Sequence, residues 1–310
     1  MNLNRRKFLK STGAVVLSSA VLSGNAASFL NGMIKHPVGV QLFTFFNTID
    51  DDVKGTLDKI AAAGYKEIES AFSKKGGYYG MKPKAFKSMV NAAGLSWQSH
   101  HVLGAPFKLP KGTKMPTMPD GKPMVIPPML NLKENMQQLV DEAAEGGVNY
   151  LVCANAPTDT TEDLKTSIDI LNKTGEAAHK AGLQFAYHNH DMEFNRIEGG
   201  PVPYDLLLSE TDPKMVKMEL DLAWAVKGGK DPVEMFKQHP GRFPLWHVKD
   251  LDASREEILP VGSGTIDFKP IFAAAKISGM QHFFVEHDMP KDAFASINSS
   301  IKFINKNLNG

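Results

Sequence analysis

Five times along the chain an alanine-rich amphipathic stretch ends in glycine, and a short apolar run follows at once. The phrase reads Ala61-Ala62-Ala63-Gly64 before Tyr65 to Ser70, and Asn91-Ala92-Ala93-Gly94 before Leu95 to Ser99. It returns as Ala143-Ala144-Glu145-Gly146-Gly147 before Val148 to Cys153, and as Ala178-His179-Lys180-Ala181-Gly182 before Leu183 to His188. The last copy is Ala275-Lys276-Ile277-Ser278-Gly279 before Met280 to Glu286. Glycine just past a helix takes the left-handed cap at little steric cost, and the chain then enters a strand. Helix, glycine and strand repeated in one chain imply parallel βα units.

The apolar runs predict eight strands: Val38 to Phe45, Glu67 to Ala71, Ser96 to Val102, Tyr150 to Ala154, Gln184 to His188, Lys217 to Asp221, Leu245 to Lys249 and His282 to Glu286. Eight such units and about 250 residues make a (β/α)8 barrel. An open doubly wound sheet requires a glycine-rich turn after its first strand. That position reads Phe45-Phe46-Asn47-Thr48, without glycine. The later pair Gly262 and Gly264 reads as a turn rather than a phosphate cradle. One segment breaks the rhythm. Residues 104–130 carry Pro106, Pro110, Pro116, Pro119, Pro123, Pro127 and Pro128, which forbid a long helix or a central strand. The segment follows the third strand, where barrel loops border the active end. Phe107, Met115, Met118 and Ile126 give it something to bury, so it reads as a lid-like insert.

Composition narrows the class. The 310 residues are 42% hydrophobic, with 35 Lys and Arg against 34 Asp and Glu. That balance offers no basic surface for nucleic acid or an anionic membrane. The single cysteine, Cys153, rules out an internal disulfide and a cysteine-rich zinc site, and its apolar run makes it a buried inert thiol. Residues 1–30 read as an export signal rather than fold. Arg5-Arg6-Lys7-Phe8-Leu9-Lys10 precedes a mild apolar run from Gly13 to Leu22, and Gly24, Ala26 and Ala27 offer a cleavage site. This resembles a twin-arginine signal, so the protein is expected in the periplasm or otherwise exported, without stable membrane insertion after cleavage.

Chemistry gathers at the ends of four successive predicted strands. They close on His188, on Asp221, on His247-Val248-Lys249 and on Glu286-His287-Asp288. The last inward residue of a parallel barrel strand faces the mouth. His188, Asp221, His247 and Glu286 all fit that place. Two imidazoles and two carboxylates nearly neutralise a dication and suit one Mn, Zn, Co, Fe or Mg ion better than Ca²⁺. Taken singly, each is more often a hydrogen-bonded histidine or a surface carboxylate; the joint pattern carries the reading. Glu69, His101, His190, Glu193 and Lys249 stand on the same tips as candidates for catalysis. Lys249 serves either a developing oxyanion or a pair with Asp250. Glu219, one inward position before Asp221, either supports the site or pairs with Lys217 or Lys249. Trp224, Trp246 and Phe45 read equally as core or as platforms against a sugar ring.

These segments together resemble the sugar phosphate isomerase/epimerase group, the xylose isomerase-like TIM barrels. The resemblance rests on His188-Asn189-His190-Asp191-x-Glu193-Phe194, Glu219-Leu220-Asp221 with Trp224, Gly229-Lys230-Asp231-Pro232, His247-Val248-Lys249-Asp250, Val261-Gly262-x-Gly264 with Ile266-Asp267, and Val285-Glu286-x-Asp288. It covers residues 36–308. It implies one barrel with one divalent metal held by His188, Asp221, His247 and Glu286. It also shows a departure: the group's epimerases carry glutamate at the fifth strand tip, paired with the glutamate at the eighth for proton exchange. Here the fifth tip is His188, so a different base must act.

The implied chemistry is proton abstraction next to a carbonyl, with a metal chelating adjacent oxygens. Reprotonation gives isomerisation or epimerisation; loss of a β-oxygen gives elimination. The leading expectation is a metal-dependent isomerase or epimerase acting on a non-phosphorylated carbohydrate, since phosphorylated sugars are mainly cytoplasmic. The alternative is a lyase or dehydratase acting on a 3-keto-glycoside or keto-cyclitol. A non-catalytic sugar-binding protein would keep aromatic platforms without the metal set. An abasic-site endonuclease would need more ligands and a basic face.

Overall fold

A computed structural model describes residues 36–106 and 129–308. The proposed export signal, and residues 107–128 of the proline-rich insert, lie outside the described residues. Eight parallel strands close into a barrel: β1 (Gly39–Gln41), β2 (Glu67–Ser70), β3 (Ser96–Leu103), β4 (Tyr150–Asn155), β5 (Gln184–His188), β6 (Val216–Asp221), β7 (Leu245–Val248) and β8 (His282–Val285). Each pairs with its neighbours in sequence, and β8 pairs with β1 to close the ring.

The repeated phrase performs as its chemistry requires. Gly64, Gly94, Gly147, Gly182 and Gly279 all adopt positive φ, between 63° and 107°. Helix starts are capped by side chains: Asp52 accepts from the Gly55 amide, Asn131 from Glu134, Thr160 from Asp163 and Asp292 from Ala295. The amphipathic helices bury one face on the outside of the barrel, where Trp246 stacks on Phe236 at 4.9 Å.

β1 is shorter than its apolar run predicts. It ends at Gln41, and Leu42–Phe45 forms a 3₁₀ turn instead of continuing the strand. The cause is local: the buried Gln41 side chain accepts the Phe43 amide at 3.1 Å and turns the chain. The ends of the proline-rich insert are held together, because Leu103 bridges Asn131 and the Gly104 amide donates to Asn155 O at 2.8 Å.

The barrel interior is filled. Tyr150, Val152, Ala186, Leu245 and Phe284 pack there, each at most 1% exposed. Near the strand starts a polar floor spans the ring. Glu67 accepts from Gln98 at 2.9 Å and bonds His282 at 2.8 Å; Asn149 donates to Gln98, and Tyr150 to Gln281. No helix among the described residues is long and apolar enough to cross a membrane.

A feature the sequence does not announce follows β7. Asp250–Leu251 pairs antiparallel with Ile258–Leu259 as a small ribbon. The fully buried Asp250 carboxylate accepts four backbone amides: Leu251 and Ile266 on Oδ1, Gly262 and Gly264 on Oδ2, at 2.9–3.1 Å. The glycine pair is therefore a turn, as expected, with its amides committed to Asp250. Gly264 has no room for a side chain, since a Cβ would stand 2.2 Å from Leu251 O. Asp250→Ala leaves these amides without their acceptor and costs about 2–4 kcal/mol. Urea unfolding checks this; a loss below about 1 kcal/mol would mean that the ribbon does not depend on the carboxylate.

Candidate metal centre

The strand ends bring His188, Asp221, His247 and Glu286 to one place at the C-terminal mouth, all at most 4% exposed. β6 and β7 set Asp221 beside His247 in register, and β5 sets His188 beside Glu219. His247 is the hub. Its Nδ1 is 2.7 Å from Glu286 Oε2, and on the other side of the ring Nε2 is 2.5 Å from Glu69 Oε1 and 3.2 Å from Glu219 Oε2. His188 spans the same two sides. Its Nδ1 bonds Glu219 Oε2 at 3.0 Å, while Nε2 stands 4.0 Å from Asp221 Oδ2.

Two overlapping sets can hold a cation. Asp221, His247 and Glu286 place ligand atoms within 4.8 Å of one another, and so do His101, His188, Glu219 and His247. The inner side is a hydrogen-bonded layer. His101 Nε2 lies 2.6 Å from Glu219 and 3.0 Å from Glu69, and Gln41 Nε2 donates to Glu69 at 2.6 Å. The outer side carries Lys249, whose ammonium is 2.7 Å from Glu286, 3.1 Å from Asp221 and 3.0 Å from Asp288.

The donor set fits a divalent ion. Four buried carboxylates (Glu69, Glu219, Asp221 and Glu286) face one buried ammonium, Lys249. Buried charge of one sign is costly without compensation. Three carboxylate oxygens, Glu69 Oε2, Glu219 Oε1 and Asp221 Oδ2, are buried without a hydrogen-bond partner. Lys249 is near Asp221 Oδ2, but off the line of a hydrogen bond. Asp221 Oδ1 meanwhile accepts the Trp224 amide at 2.9 Å and caps the helix Leu222–Lys227, which fixes the free oxygen in place.

Protonation follows from these neighbours. Burial, then His247, His101, His190 and Lys249, drive His188 well below the usual histidine range, so its imidazole is neutral and free to ligate. Burial opposes charge on His247, but Glu219, Glu286 and Glu69 together hold it well above that range. The carboxylates that favour a proton on His247 equally favour a dication in its place. Burial also opposes charge on His101, which Glu69 and Glu219 raise to about 9. Burial and Glu69 push Glu219 up to about 7. Glu286 goes the other way: despite burial, Lys249 and His247 hold it well below the carboxylate range.

The structure sorts the remaining expectations. Glu69 and His101 lie in the inner layer. His190 stands at the rim, with its ring 5.2 Å from that of His188 and its side chain 36% exposed. Glu193 turns away: its carboxylate accepts from Tyr187 Oη at 2.7 Å and from the His190 amide at 3.0 Å, bracing the loop. Lys249 does not pair with Asp250, whose oxygens are taken by the ribbon amides. Glu219 pairs with neither lysine, because imidazoles surround it and Lys217 Nζ donates to Pro213 O. Trp246 and Phe45 are core, at most 1% exposed. Trp224 alone of the three aromatics borders the site, with Lys249 Nζ 5.3 Å from its ring centroid. Cys153 is buried, as expected, and burial pushes its thiol up.

Three residues of the site had no role of their own in the sequence reading, although Asn189 and Asp288 stand in its strand-tip motifs. Gln41 was hidden by the assumption that β1 runs on to Phe45. Asp288 follows Glu286 by two, the spacing that brings both carboxylates to Lys249. Asn189 ties β5 to β6, accepting the Asp221 amide at 3.1 Å and donating to Asp221 O at 3.4 Å. Adding Mn²⁺, Co²⁺ or Zn²⁺ to metal-stripped protein raises its melting temperature, by about 2.7 kcal/mol of stabilisation at a hundredfold excess over Kd. Glu219→Gln weakens that binding about 10–100-fold, because the imidazoles lose their orienting acceptor. Calorimetric titration and melting curves check both; no shift with any ion would exclude a dication site.

Comparison with known proteins agrees with this geometry. The family model described as the xylose isomerase-like TIM barrel matches residues 57–307. The chain is 31% identical over 147 residues to the inosose dehydratase of Geobacillus thermodenitrificans, a match that covers 42% of this chain and 48% of that protein. It is 23% identical over 250 residues to the inosose dehydratase of Lacticaseibacillus casei, covering 74% and 79%. The crystal structure of a sugar phosphate isomerase/epimerase from Parabacteroides distasonis superposes with a TM-score of 0.71 and 29% identity, covering 90% of this chain and 96% of that one. The chain belongs to the xylose isomerase-like TIM barrel family.

Proposed function

We propose that this protein is a divalent-metal-dependent lyase that eliminates a β-oxygen substituent, as water or an alcohol, from a non-phosphorylated keto-cyclitol or 3-keto-glycoside. The observation that carries the reading is His188 at the β5 tip. It places a neutral imidazole where a two-carboxylate proton exchange would need an acid group opposite Glu286. Elimination needs no second base on the opposite face, so this reading displaces isomerisation or epimerisation as the leading one. The likeness to inosose dehydratases supports it, since loss of water from a keto-cyclitol is an elimination of this kind.

His188, Asp221, His247 and Glu286 would hold the ion, with Glu219 orienting His188 and Glu69 orienting His247. An ion held there would supply Lewis acidity toward a substrate carbonyl and so acidify the adjacent C–H. The protein's own groups do the rest. Lys249, clamped by Glu286 and Asp288, presents a fixed positive charge toward negative charge growing on a substrate oxygen. Trp224 walls the mouth between Lys249 and His190, its ring 6.3 Å from the imidazole.

A substrate without phosphate fits the charges at the mouth. Lys249 is matched by three carboxylates, and Lys227 stands 3.6 Å from both Asp191 and Glu256. The Gly262 and Gly264 amides serve Asp250. Export through the twin-arginine route belongs to the same proposal, because an exported enzyme meets neutral sugars; fractionation of the cell envelope tests it.

Incubation of the Mn²⁺-loaded protein with an inosose and with methyl 3-keto-glucoside in D₂O, followed by NMR, tests the reaction. The expected result is an unsaturated product with release of water or methanol. Deuterium in an epimer with the skeleton retained would overturn elimination, and silence with both probes would overturn the reading. His247→Ala lowers turnover about a thousandfold or more, the kinetic equivalent of several kcal/mol.

A further inference from the structure

A lyase of this kind needs one group that reaches the substrate carbon and exchanges a proton with it. Most titratable side chains around the site are already spoken for. Glu69 and His101 lie on the inner side of His247, 0% and 7% exposed, and hydrogen-bond one another and Glu219 or Gln41. Glu193, 4% exposed, is committed to Tyr187 and the His190 backbone. The Lys249 ammonium is divided among carboxylates. Asp288 gives both oxygens to Lys249, and His287 Nδ1 bonds Ser296 Oγ at 2.9 Å.

His190 differs from all of these. It leaves β5 two residues after His188, so its ring borders the proposed metal position. Its Nδ1 stands 3.9 Å from Glu193 Oε1, beyond hydrogen-bond reach. More than a third of the side chain is open. Its backbone is nevertheless fixed: Glu193 holds the His190 amide, and Asn189 locks the preceding residue to Asp221. The ring leans on His188 on one side and Trp224 on the other. A fixed, open imidazole at the border of the substrate site is the geometry that general acid–base catalysis requires.

We infer that His190 is the group that carries the substrate proton, acting first as base and then as acid on one face of the ring. The inference rests on the lyase reading above. The imidazole nitrogen takes the proton from the carbon next to the carbonyl, and the C–H electron pair passes into the enolate. That pair then forms the C=C bond as the neighbouring C–O bond breaks. The departing oxygen takes the proton back from the imidazolium and leaves as water or alcohol. One C–H and one C–O bond are exchanged for one π bond and one O–H bond, and no oxidant is needed. Because a single group serves both halves, hydrogen and leaving group depart from the same face, and the fifth-strand carboxylate becomes dispensable.

The test compares the parent protein with His190→Asn and His190→Gln. All are loaded with Mn²⁺ and incubated in D₂O with methyl 3-keto-glucoside and with an inosose. Both variants should bind Mn²⁺ in calorimetry and melt as the parent does, and KM should change little while kcat falls about 100–10,000-fold. Deuterium exchange at the carbon next to the carbonyl in recovered substrate should fall with it. Exchange at the parent rate in either variant would overturn the inference, because another group would then take the proton. Loss of Mn²⁺ binding would overturn it too, by showing that His190 acts through the ion. A parent inert toward both probes would instead fail the lyase reading, and the inference with it.

Discussion

Four carboxylates held out of water around one histidine ring set the terms for the rest of this molecule. Glu69, Glu219, Asp221 and Glu286 cannot all stay ionised and buried against the single ammonium of Lys249. The surroundings answer in two ways. Imidazoles are placed so that each can take a proton from, or give a hydrogen bond to, a neighbouring acid. Three carboxylate oxygens are left without hydrogen-bond partners, the condition under which a dication becomes a favourable counter-charge. The barrel makes this possible, because only a ring of parallel strands delivers so many side chains from distant parts of the chain to one point.

Labour is divided by the two sides of the His247 ring. The inner layer of Gln41, Glu69, His101 and Glu219 fixes the orientation of imidazoles through its hydrogen bonds. The outer group of Asp221, Glu286, Lys249 and Asp288 faces the mouth. Between them the β5–β6 connection is cross-braced: Asn189 ties to both the amide and the carbonyl of Asp221, and Glu193 holds the His190 backbone. Glu69, His101 and Glu193 are thus held by hydrogen bonds within the site, and His190 is the more exposed of the strand-tip candidates.

The sequence disclosed the architecture because its signals are local. A glycine that must take positive φ after each helix, followed by a short apolar run, is a property of neighbouring residues, and five copies define the βα rhythm. The four proposed ligands were legible because they occupy the last inward position of successive strands, a period-two rule. What escaped depended on contacts across the ring. Glu219 looked like a partner for lysine because its flanking residues include Lys217, yet its actual neighbours arrive from β3, β5 and β7. Gln41 was lost when a side-chain hydrogen bond ended β1 four residues early. Phe45 and Trp246 carry the right chemistry for a sugar platform but are core: Trp246 sits on the outward face of β7, a matter of strand phase, and Phe45 lies in the 3₁₀ turn that replaces the end of β1 and packs on Phe294.

The floor of the barrel has a consequence for traffic. Glu67, Gln98, Asn149, Tyr150, Gln281 and His282 knit its base, and Phe284, Leu245 and Val152 fill the space above. Among the described residues the centre of the barrel is packed with side chains, which leaves the C-terminal mouth as the side from which the site is approached. Under the proposed elimination, a ring substrate would leave by the route it came, and a released alcohol would have to clear the same opening before the next molecule docks. Turnover on that reading would alternate arrivals and departures, and a bulky product would become its own competitor.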